Sequence, residues 1–560
     1  MRISTSRTAH WGRWVVVLAV CGVNFFLYAG APEVSLMEAR NFVAAREMVA
    51  GGSWLIPTMN GELRLAKPPL PTWAVAAWQQ LIGPTEELGL LRVPAGLAGT
   101  LLVLFFWGLA RELTRHAPGE DLRPGRTAWL GALVLASSLL VVTTAREGQW
   151  DIFATSMMVG SLWLLVRGWQ RPQHSWLPLF GAGVLAGLSI LSKGPVAVYA
   201  VLLPFVGAYL LTRAQHRRQL GQHKAGTLAA AAVALLIGGS WPVYIWLKVA
   251  PVALKVARTE ISSWGERHVQ PLWYYWSFFA FTGLWALVAL VVLVSPYARP
   301  RAGRFIPYAV ALGWVMIGLV LLSLVPEKKE RYMLPLMPAL ALLVAGMLRY
   351  WESTRTTART TPDAWLVRVW GSLLAVAYAA LPVAMVLSRL PELAWASPRF
   401  ILGVVLFGGL AAWVWGWGIR LVRTEVMISA TLLGGVAMVA LLVPAYPAWE
   451  SRKQTPGLRR MPNMRTLPGL AGVANWRSLD TLHVKQVWSA GRTVAVWHPT
   501  AATLQSLREP LAVFSASPAK SRLPVGWASW VRVTPLDTFY LGRDRQSGYW
   551  FVSRLDPINE

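Results

Sequence analysis

Cysteine and acidic residues are scarce in this chain of 560 residues. The one cysteine, Cys21, lies inside an apolar run, which excludes a disulfide framework and a zinc site built from thiolates. There are 26 Asp and Glu residues against 53 Lys and Arg, and charged residues make up only 14% of the sequence. Hydrophobic residues make up 55%, so the composition is not that of an ordinary soluble protein.

Apolar runs of about twenty residues recur along the first part of the chain, and this length crosses a bilayer as a helix. We count about thirteen such runs, which predict a polytopic α-helical membrane domain over residues 1–447. The net charge of +27 is expected in a membrane protein, because cytoplasmic loops collect Lys and Arg and contact anionic lipid headgroups. Membrane lipids are therefore expected partners, and nucleic acid is not.

The basic loops alternate with less basic ones, and this pattern predicts the topology. It places the N-terminus in the cytoplasm and, after about thirteen spans, the C-terminus outside. From about residue 448 the composition changes, and short runs such as 493–497 and 511–515 alternate with Pro, Gly and Ser in the manner of strands. We predict a small extracytoplasmic α/β domain over residues 448–560.

Charge gathers in the loops that this topology places outside, which runs against the topological bias and calls for a specific reason. Lys and Arg at the membrane surface can hold a lipid phosphate, and carboxylates at the same depth suit proton abstraction or stabilisation of a positive sugar ring. The loops therefore predict chemistry on a phosphate-linked lipid sugar. The charged residues concerned are Glu38, Arg40 and Lys67 in the first outer loop (about residues 29–89), then Asp151, Lys193, Lys328, Lys329 and Arg331.

The first outer loop reads EARNFVAAREMV and then WLIPTMNGELRLAKPPLPTW. It resembles the first periplasmic loop of the bacterial aminoarabinose transferases, membrane glycosyltransferases of the GT-C fold whose wider group includes the protein O-mannosyltransferases. The Asp151 segment, HVQPLWYY and KKERYMLPLMPALALL match in the same order, so the resemblance covers about residues 11–349. It implies an inner-membrane enzyme that transfers a hexosyl or pentosyl group, with inversion, from an undecaprenyl-phosphate donor to lipid A or another periplasmic acceptor.

The resemblance also implies roles for the matched residues. Asp151 and Glu38 are the expected catalytic carboxylates. His268 matches a histidine that binds metal in one branch of the group, but a single histidine is a poor zinc site. No cofactor is therefore predicted with certainty, and a loosely bound divalent cation stays open. The expected contacts to phosphate and substrate are Arg40, Lys67, Lys193, Lys328, Lys329, Arg331 and Tyr332.

Two positions depart from the pattern of these relatives. Met37 stands where the first motif usually has an aspartate, and Ala66 stands where an acidic residue often precedes the lysine of the KPP motif. Either Glu38 replaces the missing aspartate or Asp151 is the main carboxylate.

Structural roles are the alternative for each residue: Asp151 as a helix N-cap, Glu38 as a partner of Arg40, and Lys67 as an interfacial lysine. For the whole chain, one alternative is a transporter or flippase of lipid-linked saccharides, which would favour charged or broken helices at the bilayer midplane and repeated halves. The charge here lies in loops, and no internal repeat is visible. Another is a non-catalytic envelope-assembly protein that docks through its C-terminal domain.

Overall fold

The computed structural model describes residues 5–171, 175–263, 268–354, 360–452, 461–541 and 548–558. The chain divides into two compact units. We call the first the membrane unit; it comprises Met1–Ala31, Leu65–Ala74 and Leu88–Ala445. We call the second the sheet unit; it comprises Pro32–Arg64, Val75–Glu87 and Tyr446–Glu560.

Helices dominate the described residues. In chain order the α-helices are α1 (Thr5–Cys21), α2 (Leu36–Val49), α3 (Leu70–Ile82), α4 (Leu88–Leu91), α5 (Val93–Thr114), α6 (Arg126–Ala136), α7 (Leu139–Ala145), α8 (Trp150–Trp169), α9 (Trp176–Lys193), α10 (Leu203–Thr212), α11 (Ala214–Gln222), α12 (Lys224–Ser263), α13 (Ala286–Leu293), α14 (Ser295–Ala302), α15 (Tyr308–Leu324), α16 (Met337–Ser353), α17 (Thr361–Leu387), α18 (Pro398–Trp413), α19 (Thr424–Leu442), α20 (Tyr446–Arg452), α21 (Val484–Ala490) and α22 (Ala501–Gln505).

The prediction of a polytopic helical membrane protein is confirmed. However, fewer helices than the predicted thirteen or so meet the criteria of length and composition for a membrane span. Within the described ranges, nine helices are long and apolar enough to cross a membrane, and two bent pairs raise the number to 11. The first and ninth predicted spans fall on two shorter apolar helices, Trp11–Phe26 and Tyr308–Leu324. Both have fewer than 18 residues, which is why they are not counted.

One bent pair consists of α6 and α7, which meet at an angle of 61°. The Ser137 and Ser138 hydroxyls donate to the carbonyls of Leu133 (2.6 Å) and Val134 (2.7 Å), a pattern that bends helices. Beyond the bend, the buried Arg146 guanidinium donates to the carbonyl of Asn24 at 2.9 Å. This contact fixes the end of α7 shortly before the polypeptide reaches Asp151.

Close packing of α9 against α12 depends on glycine. A Cβ on Gly183 would lie 2.5 Å from the Ala230 carbonyl oxygen, and one on Gly187 would lie 2.6 Å from Ile237 Cβ. The two glycines are four residues apart, the spacing that lets membrane helices approach closely. Lys193 lies at the end of the same helix, so this packing also determines its position.

The sheet unit contains a five-stranded mixed sheet of order β4-β3-β5-β7-β6, in which β3 pairs in parallel with β4 and β5, and β7 pairs antiparallel with β5 and β6. The predicted small C-terminal α/β fold is confirmed. The chain's strands are β1 (Thr58–Met59), β2 (Glu62–Leu63), β3 (Asn475–Ser478), β4 (Ala495–Val496), β5 (Leu511–Ser515), β6 (Val531–Tyr540) and β7 (Tyr549–Pro557).

The first outer loop folds as part of the sheet unit. Ala39 and Val43 of α2 pack in one buried cluster with Val484 and Val487 of α21. The β1–β2 hairpin turns at Asn60 and Gly61, which both have positive φ angles, as this turn requires. Apolar contact with α21 therefore orders a loop whose sequence shows mainly polar motifs.

Candidate active site

Asp151 lies in the first turn of α8, where the helix dipole favours a carboxylate. The N-cap is Gln149 and not Asp151, so the capping role considered above is not the one that the structure shows. The Asp151 carboxylate forms one ion pair with the Lys193 ammonium and another with Arg331, whose Nε lies 3.6 Å from Oδ2. The Asp151 side chain is only 12% exposed, so it is largely shielded from water between two cations.

Lys193 is the last residue of α9, and the chain leaves the helix at Gly194, whose φ of 69° suits glycine. A cation at this end is favoured by the helix dipole. The turn that begins at Gly194 thus leaves the lysine beside Asp151, a contact that the sequence analysis does not predict.

A second ion pair lies on the segment between α15 and α16. The Lys329 ammonium bonds to Glu327, and the Tyr332 hydroxyl donates to the same carboxylate oxygen at 3.3 Å. Burial raises the pKa of Glu327, but Lys329 and Tyr332 stabilise the carboxylate more strongly and hold that pKa below its ordinary value.

The Tyr332 ring lies between the two ion pairs. Lys193 Nζ is 4.7 Å from the ring centroid, Lys329 Nζ 5.9 Å and Arg331 Cζ 5.7 Å, all within cation–π distance. The tyrosine therefore joins the Asp151 pair and the Glu327 pair into one cluster.

Lys67 belongs to the same cluster. It interacts electrostatically with both Lys193 and Glu327, and it stands in the short Leu65–Ala74 segment of the membrane unit. We call the set of Lys67, Asp151, Lys193, Glu327, Lys329, Arg331 and Tyr332 the charged cluster.

Lys328 has a different environment from its neighbours. Its ammonium is buried and donates to the carbonyls of Gln270 (3.0 Å) and Val325 (2.7 Å), and burial lowers its pKa. Its backbone N–H donates to the His268 carbonyl at 3.1 Å, beside a bridge between Val269 and Glu327. The local contacts of Lys328 are thus those of a structural residue.

His268 supports the charged segment through its backbone, and its side chain is exposed. Within the described ranges, no group of three or more His, Cys, Asp and Glu side chains has the arrangement of a metal site.

Glu38 and Arg40 lie in the sheet unit, whereas the charged cluster lies in the membrane unit. Glu38 is fully buried and forms a capping box with Ser35 at the start of α2, with the Ser35 N–H donating to its carboxylate at 2.9 Å. Arg40 is exposed and contacts the Met37 sulfur at 3.8 Å. Their predicted parts in catalysis and substrate binding stay predictions.

Glu327 is the residue that the sequence reasoning passed over. The unusual charge of residues 327–332 selects the cations Lys328, Lys329 and Arg331, and the acid that precedes them is not among the predicted site residues. The available signal was a carboxylate two residues before a lysine in an outer loop already selected for its unusual charge.

The chain is similar to known proteins in sequence and in fold. Residues 66–246 match the family model described as dolichyl-phosphate-mannose-protein mannosyltransferase. The crystal structure of ArnT from Cupriavidus metallidurans bound to undecaprenyl phosphate covers 97% of this chain and 98% of its own, with a TM-score of 0.68 and 19% identity. The chain has the ArnT fold. The resemblance seen in the loop motifs is thereby confirmed.

The sequence relatives match this chain over most of its length. The undecaprenyl phosphate-alpha-4-amino-4-deoxy-L-arabinose arabinosyl transferase of Pectobacterium carotovorum is 25% identical over 450 residues, 75% of this chain and 74% of the relative. An uncharacterized protein of Aquifex aeolicus is 27% identical over 377 residues, 64% of this chain and 69% of the relative.

Proposed function

We propose that this chain is an inner-membrane glycosyltransferase that moves a sugar from an undecaprenyl-phosphate donor to lipid A or another envelope lipid or glycan on the periplasmic side. The observation that carries the proposal is the charged cluster, which gathers two carboxylates, four cations and one tyrosine. The donor class is supported by the names of the relatives and by the ligand of the Cupriavidus structure.

The charge of the cluster suits the departure of a phosphate. Lys67, Lys193, Lys329 and Arg331 carry four positive charges against two negative charges on Asp151 and Glu327, which leaves a net charge of +2. A polyprenyl-phosphate sugar carries about one negative charge, and the polyprenyl phosphate that leaves carries nearly two. Fixed positive charge therefore stabilises the transition state more than the bound donor.

The proposed transfer is an inverting displacement. An acceptor oxygen attacks the anomeric carbon, and the bond between that carbon and the phosphate oxygen breaks. Asp151 orients the acceptor and takes its proton when the acceptor is a hydroxyl. An acceptor phosphate needs no strong base, which is consistent with methionine at position 37.

A transfer assay tests the proposal. Purified protein in lipid would receive a radiolabelled undecaprenyl-phosphate sugar and a crude envelope-lipid acceptor, and wild type would be compared with Asp151→Ala, Glu38→Ala and Lys67→Ala. Loss of transfer in Asp151→Ala with donor binding retained supports this site, whereas loss confined to Glu38→Ala moves the chemistry to α2. Absence of transfer by wild type, together with movement of the lipid-linked sugar across the bilayer, would favour the flippase.

We further propose the full topology that the basic loops predict. All of the about thirteen apolar segments span, including the two bent pairs and the two shorter helices. The N-terminus is then cytoplasmic, and the C-terminal part of the sheet unit is periplasmic.

A further inference from the structure

Glu327 occupies an unusual position for a carboxylate in a site proposed to bind phosphate. Its side chain is 15% exposed, and one carboxylate oxygen accepts from both Lys329 and Tyr332. Ammonium and phenol groups of this kind are also the natural donors to a phosphate oxygen. The carboxylate therefore uses donors that the phosphate needs.

The backbone around Glu327 is held in place, so the carboxylate has a defined position. Glu327 forms a bridge with Val269, and the Lys329 N–H donates to the buried Tyr275 hydroxyl at 3.3 Å. Lys328 lies between Glu327 and Lys329 in the chain, and its ammonium donates to two carbonyls. The backbone contacts leave the Lys329 ammonium and the Tyr332 hydroxyl bound to Glu327 alone among these groups, so a turn of either side chain from Glu327 to a ligand needs no backbone movement.

Building on the function proposed above, we infer that Glu327 competes with the leaving phosphate for Lys329 and Tyr332 and thereby promotes product release. The leaving phosphate carries more negative charge than the donor, so a +2 cluster that favours bond cleavage also tends to retain the product. When polyprenyl phosphate departs, Lys329 and Tyr332 donate hydrogen bonds to Glu327 again. Neither donor is then left unpaired in a largely buried site, which would cost free energy. Chemistry and product release then both benefit from the same set of charges.

The test is equilibrium binding of undecaprenyl phosphate to the full-length protein, together with single-turnover and multiple-turnover transfer. Glu327→Gln removes the competing charge and should bind undecaprenyl phosphate about tenfold more tightly. Its single-turnover rate should not fall, because the cluster becomes more positive, while its steady-state kcat falls because product release is slower. Glu330→Gln is the matched control, because it removes an equal charge from an exposed residue of the same segment.

The possible outcomes separate cleanly. Tighter binding in Glu327→Gln alone supports the inference, whereas an equal change in both variants, unchanged binding or weaker binding overturns it. If Glu327→Gln does not fold, Glu327→Asp replaces it: the shorter side chain reaches its donors less well, so binding should tighten by a smaller factor, and unchanged binding overturns the inference. Failure of wild type to bind undecaprenyl phosphate at all would instead refute the proposed function.

Discussion

Asp151 and Lys193 illustrate how a residue's place on an element prepares it for a site. The aspartate begins α8 and the lysine ends α9, positions at which helix dipoles favour these charges. The helix ends then bring the two side chains into contact. A carboxylate restrained in this way can act on a substrate with little reorganisation.

Replacing Asp151 by Asn should reduce transfer by at least about 100-fold, because an amide can neither accept a proton nor balance Lys193 and Arg331. Binding of undecaprenyl phosphate should be retained, since the cluster becomes more positive. Transfer rates and product affinity are measured on the same preparation. Wild-type transfer in Asp151→Asn would exclude a catalytic role for this residue.

We expect Lys67 to bind phosphate and Lys328 to stabilise the fold. Lys67→Met should weaken undecaprenyl phosphate binding by about tenfold, because a charge-assisted contact to phosphate is lost. Lys328→Met should leave binding close to that of wild type but lower stability by about 1–3 kcal/mol, because two partly buried hydrogen bonds from a charged donor are lost. Binding and thermal unfolding in detergent distinguish them, and the reverse pattern would contradict these assignments.

For individual residues, the sequence predicted which side chains belong to the charged cluster better than it predicted the contacts that they make. Unusual charge in outer loops pointed to Asp151, Lys193, Lys329 and Arg331, which the fold brings together. It did not separate Lys328 from Lys329, because adjacent residues look alike in sequence while only one turns inward. The capping box that the Glu38 carboxylate closes does carry a local signal, the Ser-x-x-Glu pattern from Ser35 to Glu38, which the sequence analysis does not use.

Among the elements, α6 and α7 show why span boundaries are hard to predict. Hydropathy follows one apolar stretch through Ser137 and Ser138, but hydroxyl bonds to the preceding turn bend it by 61°. The first outer loop is a similar case. Its ordering depends on Val484 and Val487, more than four hundred residues later, which no local pattern could indicate.

His483 gives α21 a pH-dependent N-cap. Its ring nitrogen accepts from the Lys485 N–H at 3.3 Å, which only the neutral ring can do. Burial, followed by the charges of Lys485 and Arg40, lowers the pKa of His483. A lowered pKa in the folded state means that the cap is fully effective above about pH 6.5, the unfolded value, and is lost as the pH falls through the folded pKa.

His483→Asn should therefore remove the acid sensitivity of this helix, because asparagine caps well at any of these pH values. The difference in melting temperature between variant and wild type should be small at pH 8 and should shift in favour of the variant at pH 5. A constant difference at both pH values would show that the protonation of His483 does not affect stability.

For the whole molecule, the +27 charge is consistent with the proposed topology and function together. Basic residues recur in every loop that this topology places in the cytoplasm, as the positive-inside rule favours, and the C-terminal part of the chain is also basic. The same topology places the cations of the charged cluster on the outer side, where ion pairs with Asp151 and Glu327 partly compensate them.

Cysteine labelling tests the proposed topology directly, since Cys21 is buried and gives a low background. In spheroplasts, a membrane-impermeant maleimide should label Ser521→Cys in the sheet unit, whereas Arg218→Cys should react only after the membrane is opened. Both positions are exposed, so accessibility within the protein does not differ. Labelling of Arg218→Cys in closed spheroplasts would show that the true orientation is the reverse of the proposed one.

The most direct test of the central claim is an experimental structure of this protein with undecaprenyl phosphate bound. We predict phosphate density within hydrogen-bonding distance of Lys67 and Lys329, beside the ion pair of Asp151 with Lys193, and a Tyr332 hydroxyl turned from Glu327 toward the phosphate. Phosphate bound away from this cluster, with the Glu327 contacts unchanged, would contradict the account.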